Sequence, residues 1–299
     1  DLGRGHGLVG GILFVQGDHE GALAEHRRYA QIFEALLKQD PDNRDWIRDF
    51  GYSHHHMGTV LEAMGRLDEA LQEHRLYASV MDRLVSEDAD NAAYLSDLAL
   101  SQTRIAGVLL LQGHPAQALE VCRRAATLFG RLKELDPENA FSQREAAVAQ
   151  ANLAQLHLLM HDAPAALAAC ELALPLFDAL RRAATPSSLV DWAAIHALGI
   201  EIAHRAGDDT LRARHEAALI EADVPPQGVT GPFRIRLVPL ILARLAVLID
   251  RSDPSQQAGL ALRALRLAPR FAAGEIEAWR IRARRAHASL LAWVRAIDQ

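Results

Sequence analysis

Gly65-Arg-Leu-Asp-Glu-Ala-Leu71 decides how this chain folds, because the sequence returns to that stretch three more times. Gly17-Asp-His-Glu-Gly-Ala-Leu23, Gly113-His-Pro-Ala-Gln-Ala-Leu119 and His161-Asp-Ala-Pro-Ala-Ala-Leu167 place their starts at 17, 113 and 161, so the step is 48 residues throughout. A second mark keeps the same step: Asp40-Pro-Asp-Asn43, Asp88-Ala-Asp-Asn91 and Asp136-Pro-Glu-Asn139. The glycine of the first mark suits a helix C-terminus, where a positive φ is cheap only without a Cβ. The Asp-x-x-Asn mark ends the following helix and supplies a cap for the next one. Between the marks, Ala70, Leu71, Tyr77, Val80, Met81 and Leu84 fall along one helical stripe. Each unit is therefore expected to be a helix of about twenty residues, a tight turn and a second helix of similar length.

The contact positions recur too. Gly10, Gly58, Ala106 and Ala154 are all small, and Ala22, Ala70, Ala118 and Ala166 face them from the second helix of each unit. Phe33, Met81, Phe129 and Phe177, then Leu36, Leu84, Leu132 and Leu180, supply the bulk. Small residues set against large ones give interdigitated helices. The expected fold is all-α, an α-α superhelix of antiparallel hairpins.

Composition agrees: half of the 299 residues are hydrophobic, only 5% are aromatic, and Ala and Leu dominate. Four hairpins are expected over 1–184 and a degenerate fifth over 185–224, with its turn at Gly207-Asp-Asp. The run 225–232, with prolines 225, 226 and 232 and glycines 228 and 231, cannot continue a helix and reads as a linker. Residues 233–299 read as a basic helical segment, either a cap closing the stack or a docking surface built on Arg280, Arg282, Arg284 and Arg285. That segment holds 12 Arg against 5 acids, while residues 1–232 hold 20 basic against 33 acidic side chains. An acidic body with a basic end suits oriented docking or self-association and makes a poor nucleic-acid binder. The most apolar run, 235–249, is interrupted by Arg236, Pro239 and Arg244 and falls short of a membrane span; it reads as a buried helix. Two cysteines without a CxxC fit a reducing cytoplasm, and a start at Asp1 rather than Met suggests a piece of a longer protein.

Candidate chemistry is sparse. His54-His55-His56 is conspicuous, but successive helical residues point about 100° apart and cannot converge on one metal. His26, His74, Cys122 and Cys170 stand 48 apart and read as a packing column. Successive units lie about 10 Å apart, too far for shared ligation. No phosphate loop, GxSxG or HExxH occurs, so no catalytic, metal or cofactor residue is assigned.

The spacing of Met57-Gly58, Leu61, Gly65, Ala70 and Tyr77 resembles the tetratricopeptide repeat (TPR) pattern, lengthened as in a long-helix bacterial variety. Trp46-Ile-Arg-Asp-Phe50 after the Asp-Pro-x-Asn mark strengthens that likeness, which covers 1–184 and fades where His161 replaces the turn glycine. The resemblance implies a protein-binding scaffold, with a protein or peptide as partner, whose first helices line a concave groove. The matching residues are Arg4, Phe14, Tyr52, His55, Thr59, Glu62, Leu100, Thr103, Leu110, Gln155 and Leu158. The same residues could instead pack within a tight superhelix. A rival implication is a sensor arm of a larger bacterial signalling protein carrying a kinase, STAND ATPase, TIR or caspase-like effector. Contact with such an upstream domain would then join self-association among its interactions.

Overall fold

The computed structural model describes residues 2–182 and 186–221, which form ten α-helices and no strand. They are α1 (Leu2–Val15), α2 (His19–Leu37), α3 (Arg44–Ala63), α4 (Leu67–Glu87), α5 (Ala92–Leu111), α6 (Pro115–Leu135), α7 (Ala140–Leu159), α8 (Ala163–Arg182), α9 (Pro186–Ala206) and α10 (Asp209–Glu221). The linker at 225–232 and the basic segment at 233–299, with Arg280, Arg282, Arg284 and Arg285, lie outside the described residues.

One local device closes every hairpin. After α1, the Gly17 N–H donates to Phe14 O at 3.0 Å and the Asp18 N–H donates to Leu13 O at 2.9 Å. This crossed pair satisfies carbonyls that the helix end leaves open. The pair recurs at Gly65/Arg66, Gly113/His114, His161/Asp162 and Gly207/Asp208. The four glycines take φ of 70° to 84°, and His161 takes 62°. A left-handed conformation costs an L-residue with a Cβ roughly 1–2 kcal/mol. His161→Gly should therefore raise stability by about 1 kcal/mol, after the extra entropy of glycine in the unfolded chain is deducted. A lower urea midpoint would show that the 3.3 Å approach of Arg205 Nη1 to His161 Nδ1 outweighs the backbone strain.

The Asp-x-x-Asn marks join one hairpin to the next. The Asn43 side chain accepts from the Trp46 N–H, and Asn91 accepts from the Ala93 and Tyr94 N–H groups. Asn139 accepts from Phe141 and Ser142. Each asparagine also donates through Nδ2 to the aspartate three residues earlier, at 3.1–3.2 Å. One side chain thus caps the coming helix while gripping the end of the last.

The chain divides into two compact units, one through Ser142 and one from Gln143. In the first, hairpins α1–α2, α3–α4 and α5–α6 stack so that α2 also packs on α3 and α4 on α5. Its core joins Ile47, Tyr77, Met81, Leu84 and Leu98. Fully burying one such side chain contributes about 1.5–3 kcal/mol. In the second unit α9 packs against both α8 and α10, with Phe177, Ile195, Leu198 and Ile202 fully buried. Among the described residues α8 alone is long and apolar enough to cross a membrane; its Ala166, Cys170, Ala173 and Phe177 are buried, as in a core helix.

Candidate protein-interaction face

On α3 the residues Tyr52, His55, Thr59 and Glu62 recur at helical spacing and share one stripe; all four are half-buried. The matching stripe on α5 carries Leu100 and Thr103, half-buried, and Leu110, which is buried. On α1 it carries Arg4, exposed, and Phe14, half-buried. In the second unit Gln155 and Leu158 of α7 are buried. Leu110, Gln155 and Leu158 are thus core side chains in this structure rather than open lining.

Polar side chains hold adjacent first helices in register. Arg4 donates to the Asp49 carboxylate through Nε at 3.0 Å and Nη2 at 2.7 Å, and the Tyr29 hydroxyl donates to it at 2.7 Å. One unit on, Arg48 donates to Asp97 at 2.7 Å and the Tyr52 hydroxyl donates to it at 3.0 Å. In the second unit Arg144 Nη2 lies 2.7 Å from Asp191. Asp49, Asp97 and Asp191 are all buried, so each carboxylate needs these donors. Burial, with the charge of Asp97 adding to it, pushes the Tyr52 hydroxyl up to about 12 and keeps it a donor. Burial chiefly, with Asp49, likewise raises Tyr29. Arg4 and Tyr52 therefore space adjacent first helices.

The remaining candidates turn toward their own hairpin. His55 sits 5.1 Å from the Tyr77 ring, and burial holds its pKa well below the usual imidazole range. Glu62 Oε1 lies 2.6 Å from His74 Nε2. Thr59 donates to His55 O and Thr103 to Ala99 O, both at 3.0 Å, leaving their methyl groups as the outward chemistry. The three consecutive histidines go to separate neighbours: His54 to Glu73 at 2.6 Å, His55 to Tyr77, and His56 to the His26 ring at 4.9 Å. Among the described residues no three His, Cys, Asp or Glu side chains are grouped to hold a metal ion.

No protein-family model matches the chain, and no curated protein matches it. Among solved structures, BtubC (BKLC) from P. vanneervenii aligns with a TM-score of 0.53 at 18% identity, over 74% of this chain and 82% of that one. The fold is TPR-like. PilF of Pseudomonas aeruginosa matches at 17% identity and a TM-score of 0.44, over 94% of this chain and 97% of that one. A thermophilic TPR protein of Thermus thermophilus matches at 16% identity and 0.35, over 73% and 99%.

Two features of this TPR-like stack escape a reading by motif. The first is the buried carboxylate column, Asp49 and Asp97, which stands 48 apart and could have been found as charge recurring at an apolar register. The second is a size match between helices. A Cβ placed on Gly10 would meet the His26 ring at 2.6 Å, and one on Gly58 would meet the His74 ring at 2.5 Å. The fifth hairpin repeats this, since Gly199 lies against the buried ring of His215. Each histidine follows its glycine by 16 residues, and the third and fourth units keep that spacing with Ala106/Cys122 and Ala154/Cys170. Glycine goes with the large ring and alanine with the small thiol. Both thiols are buried and pushed up to about 12 by that burial, so they are inert packing groups.

A cleft lies beside α5, walled by residues of α4, α5 and α6. Its volume is about 500 Å³, with Ala78, Ile105, Leu109 and Val121 on its walls and Arg75, Glu120 and Arg124 around it. Arg124 is paired with Asp82 there.

Proposed function

We propose that the chain is a protein-interaction scaffold whose first-helix face in the first unit receives an apolar peptide or partner helix. The supporting observation is the lining left after the ion pairs are formed. Phe14, Thr59, Leu100 and Thr103 keep part of their surface open and carry no charge. Arg4 and Arg48 are held by Asp49 and Asp97. With Arg4 and Arg48 engaged, neither is free to clamp a carboxylate, and the open chemistry of these four residues is methyl, aliphatic and aromatic. That suits recognition of apolar side chains at helical or extended spacing. The two unpaired, buried cysteines suit work in a reducing compartment.

A photo-crosslinking residue at Thr59 or Thr103 tests the reading, with the exposed second-helix residue Gln117 as control. Adducts should form from 59 and 103 and not from 117. Leu100→Arg should lower their yield about tenfold, the loss of roughly 1.4 kcal/mol of binding, with the thermal midpoint unchanged. Equal adducts from Gln117, or a yield indifferent to Leu100→Arg, would move the binding face elsewhere.

A further inference from the structure

The outward face of α1 is apolar and open. Leu2 is 71% exposed, Leu8 72%, Val9 46% and Ile12 58%, and a Cβ on Gly5 would meet nothing within 4 Å. The two ionisable side chains of α1 lie within hydrogen-bond reach of carboxylates, Arg4 at Asp49 and His6 at Glu25, and add no charge to this face. The columns of Val9, Ile12 and Gly5 are covered further along the unit, whereas His56 in the column of Leu8 stays exposed. Val9 corresponds to Met57 and Ile105, both 5% exposed, and Ile12 to Val60 and Val108, at 1% and 0%. Gly5 corresponds to Ser53 and Ser101, both fully buried.

What covers those columns is on view. α3 receives the second helix of the hairpin before it: His26 of α2 stacks on His56, and Tyr29 of α2 donates to Asp49. α5 receives α4 in the same way, with Ala78 beside Ile105 at the edge of the cleft. The covering helices share a repeated chemistry, His26, Tyr29, Ala30 and Phe33 on α2 and His74, Tyr77, Ala78 and Met81 on α4; Phe33, His74 and Met81 also fill the space beside Gly3, Gly58 and Gly51 of their own hairpins. α1 needs such cover more than its counterparts do. Five of its fourteen residues are glycine, each about 1 kcal/mol poorer than alanine in a helix, so its stability must come from packing.

We propose that this face of α1 is an interior stacking face that receives the second helix of a further hairpin of the same repeat kind, one carrying the aromatic-Ala-x-x-large stripe of α2 and α4. The occupant is a helix of stated pattern, seated as α2 is seated on α3. A single apolar anchor or a charged peptide does not fit the columns.

The test joins a copy of residues 44–96 ahead of residue 1, which keeps the 48-residue register because position 1 then stands where Asp97 would. Ile12→Cys reports cover through its rate of thiol labelling, and the native thiols are silent because Cys122 and Cys170 are buried. Labelling should slow at least about tenfold in the extended chain, since a tenfold change in exposed population is the least that stable stacking gives. The slowing should vanish when the added copy carries Ala78→Asp, which puts a carboxylate against Val9, the counterpart of Ile105. Unchanged labelling, or slowing that survives Ala78→Asp, overturns the proposal. So does a concentration-dependent dimer of the unextended chain that Ile12→Glu dissolves, because that outcome assigns the face to a second copy.

Discussion

Gly58→Ala should destabilise the first unit by about 2–3 kcal/mol, and His74→Cys in the same chain should restore most of it. On an exposed helix the first change would be favourable by nearly 1 kcal/mol, because alanine is the better helix former. Here the new Cβ falls 2.5–2.8 Å from three atoms of the His74 ring. That ring is fully buried and held by Glu62 at 2.6 Å, so it cannot swing aside without breaking its bond and opening a void. Overpacking of this kind typically costs about 1–3 kcal/mol.

The reverse substitution by itself also harms. His74→Cys removes a ring from a filled site, a large-to-small change costing about 2–4 kcal/mol, and leaves Glu62 without its partner. Together the two changes recreate the pairing that the chain already uses one unit on, Ala106 with Cys122, both buried. The double variant should therefore lie within about 1–2 kcal/mol of the parent, giving a coupling energy of roughly 2–6 kcal/mol between positions 58 and 74. Urea unfolding of the four proteins measures it. Additivity within about 0.5 kcal/mol would mean that the columns are independent and that the alternation of Gly/His with Ala/Cys is accidental.

The helical hairpin was legible because its signals are local. A glycine at the turn and an Asp-x-x-Asn at the joint each act through backbone groups within five residues, so a sequence displays them directly. The contact columns were legible as columns for the same reason, since the repeat writes them several times. Their pairing was not, because the ring of His74 and the gap at Gly58 meet only after two helices have folded back on each other. The Gly199/His215 pair carries the same signal into the fifth hairpin, which keeps the 16-residue spacing although its distance from the fourth is 45 rather than 48. A search for the pair would have placed that hairpin where a search for the period loses it.

The candidate face was less legible than the fold. Resemblance supplied which register positions to inspect, but not which of them the stack would consume. Leu110 and Leu158 are apolar at groove positions and end up buried, while Tyr52 is consumed in part by Asp97. For Tyr52 the cause is the buried carboxylate column. Once Asp49 and Asp97 are placed between first helices, their need for donors draws in Arg4, Arg48 and Tyr52. The neighbours with no such obligation are Phe14, Thr59, Leu100 and Thr103, the four on which the proposed contact rests. The division of the chain near Ser142 falls inside α7, where the sequence offers neither proline nor glycine to mark it.

Acidification from pH 7.5 to 5.0 should weaken both units well before any carboxylate titrates, by about 2 kcal/mol for each fully buried neutral imidazole. His26 is packed against Gly10 with its pKa pulled down to about 4, first by burial and then by the neighbouring His56. In the second unit His196 and His215 meet through their Nδ1 atoms at 2.9 Å, and burial followed by mutual repulsion holds the His196 proton affinity down; burial does the same to His215. The sign follows from which state binds more protons. Between the folded value near 4 and the ordinary 6.5, the unfolded chain takes up a proton that the folded chain refuses, so stability falls with pH. The full contribution is present above about pH 6.5, and the loss levels off below about 4, where the folded ring protonates too. Replacing the first pair by Gly10→Ala with His26→Cys should keep the packing and remove one of these protons, reducing the acid limb of the first unit by the share of His26 while His55 and His56 keep theirs, and leaving that of the second unchanged. Equal urea midpoints at pH 7.5 and 5.0, or an acid limb indifferent to the double substitution, would mean that these rings are hydrated when charged and that the Gly/His columns open more readily than their close packing implies.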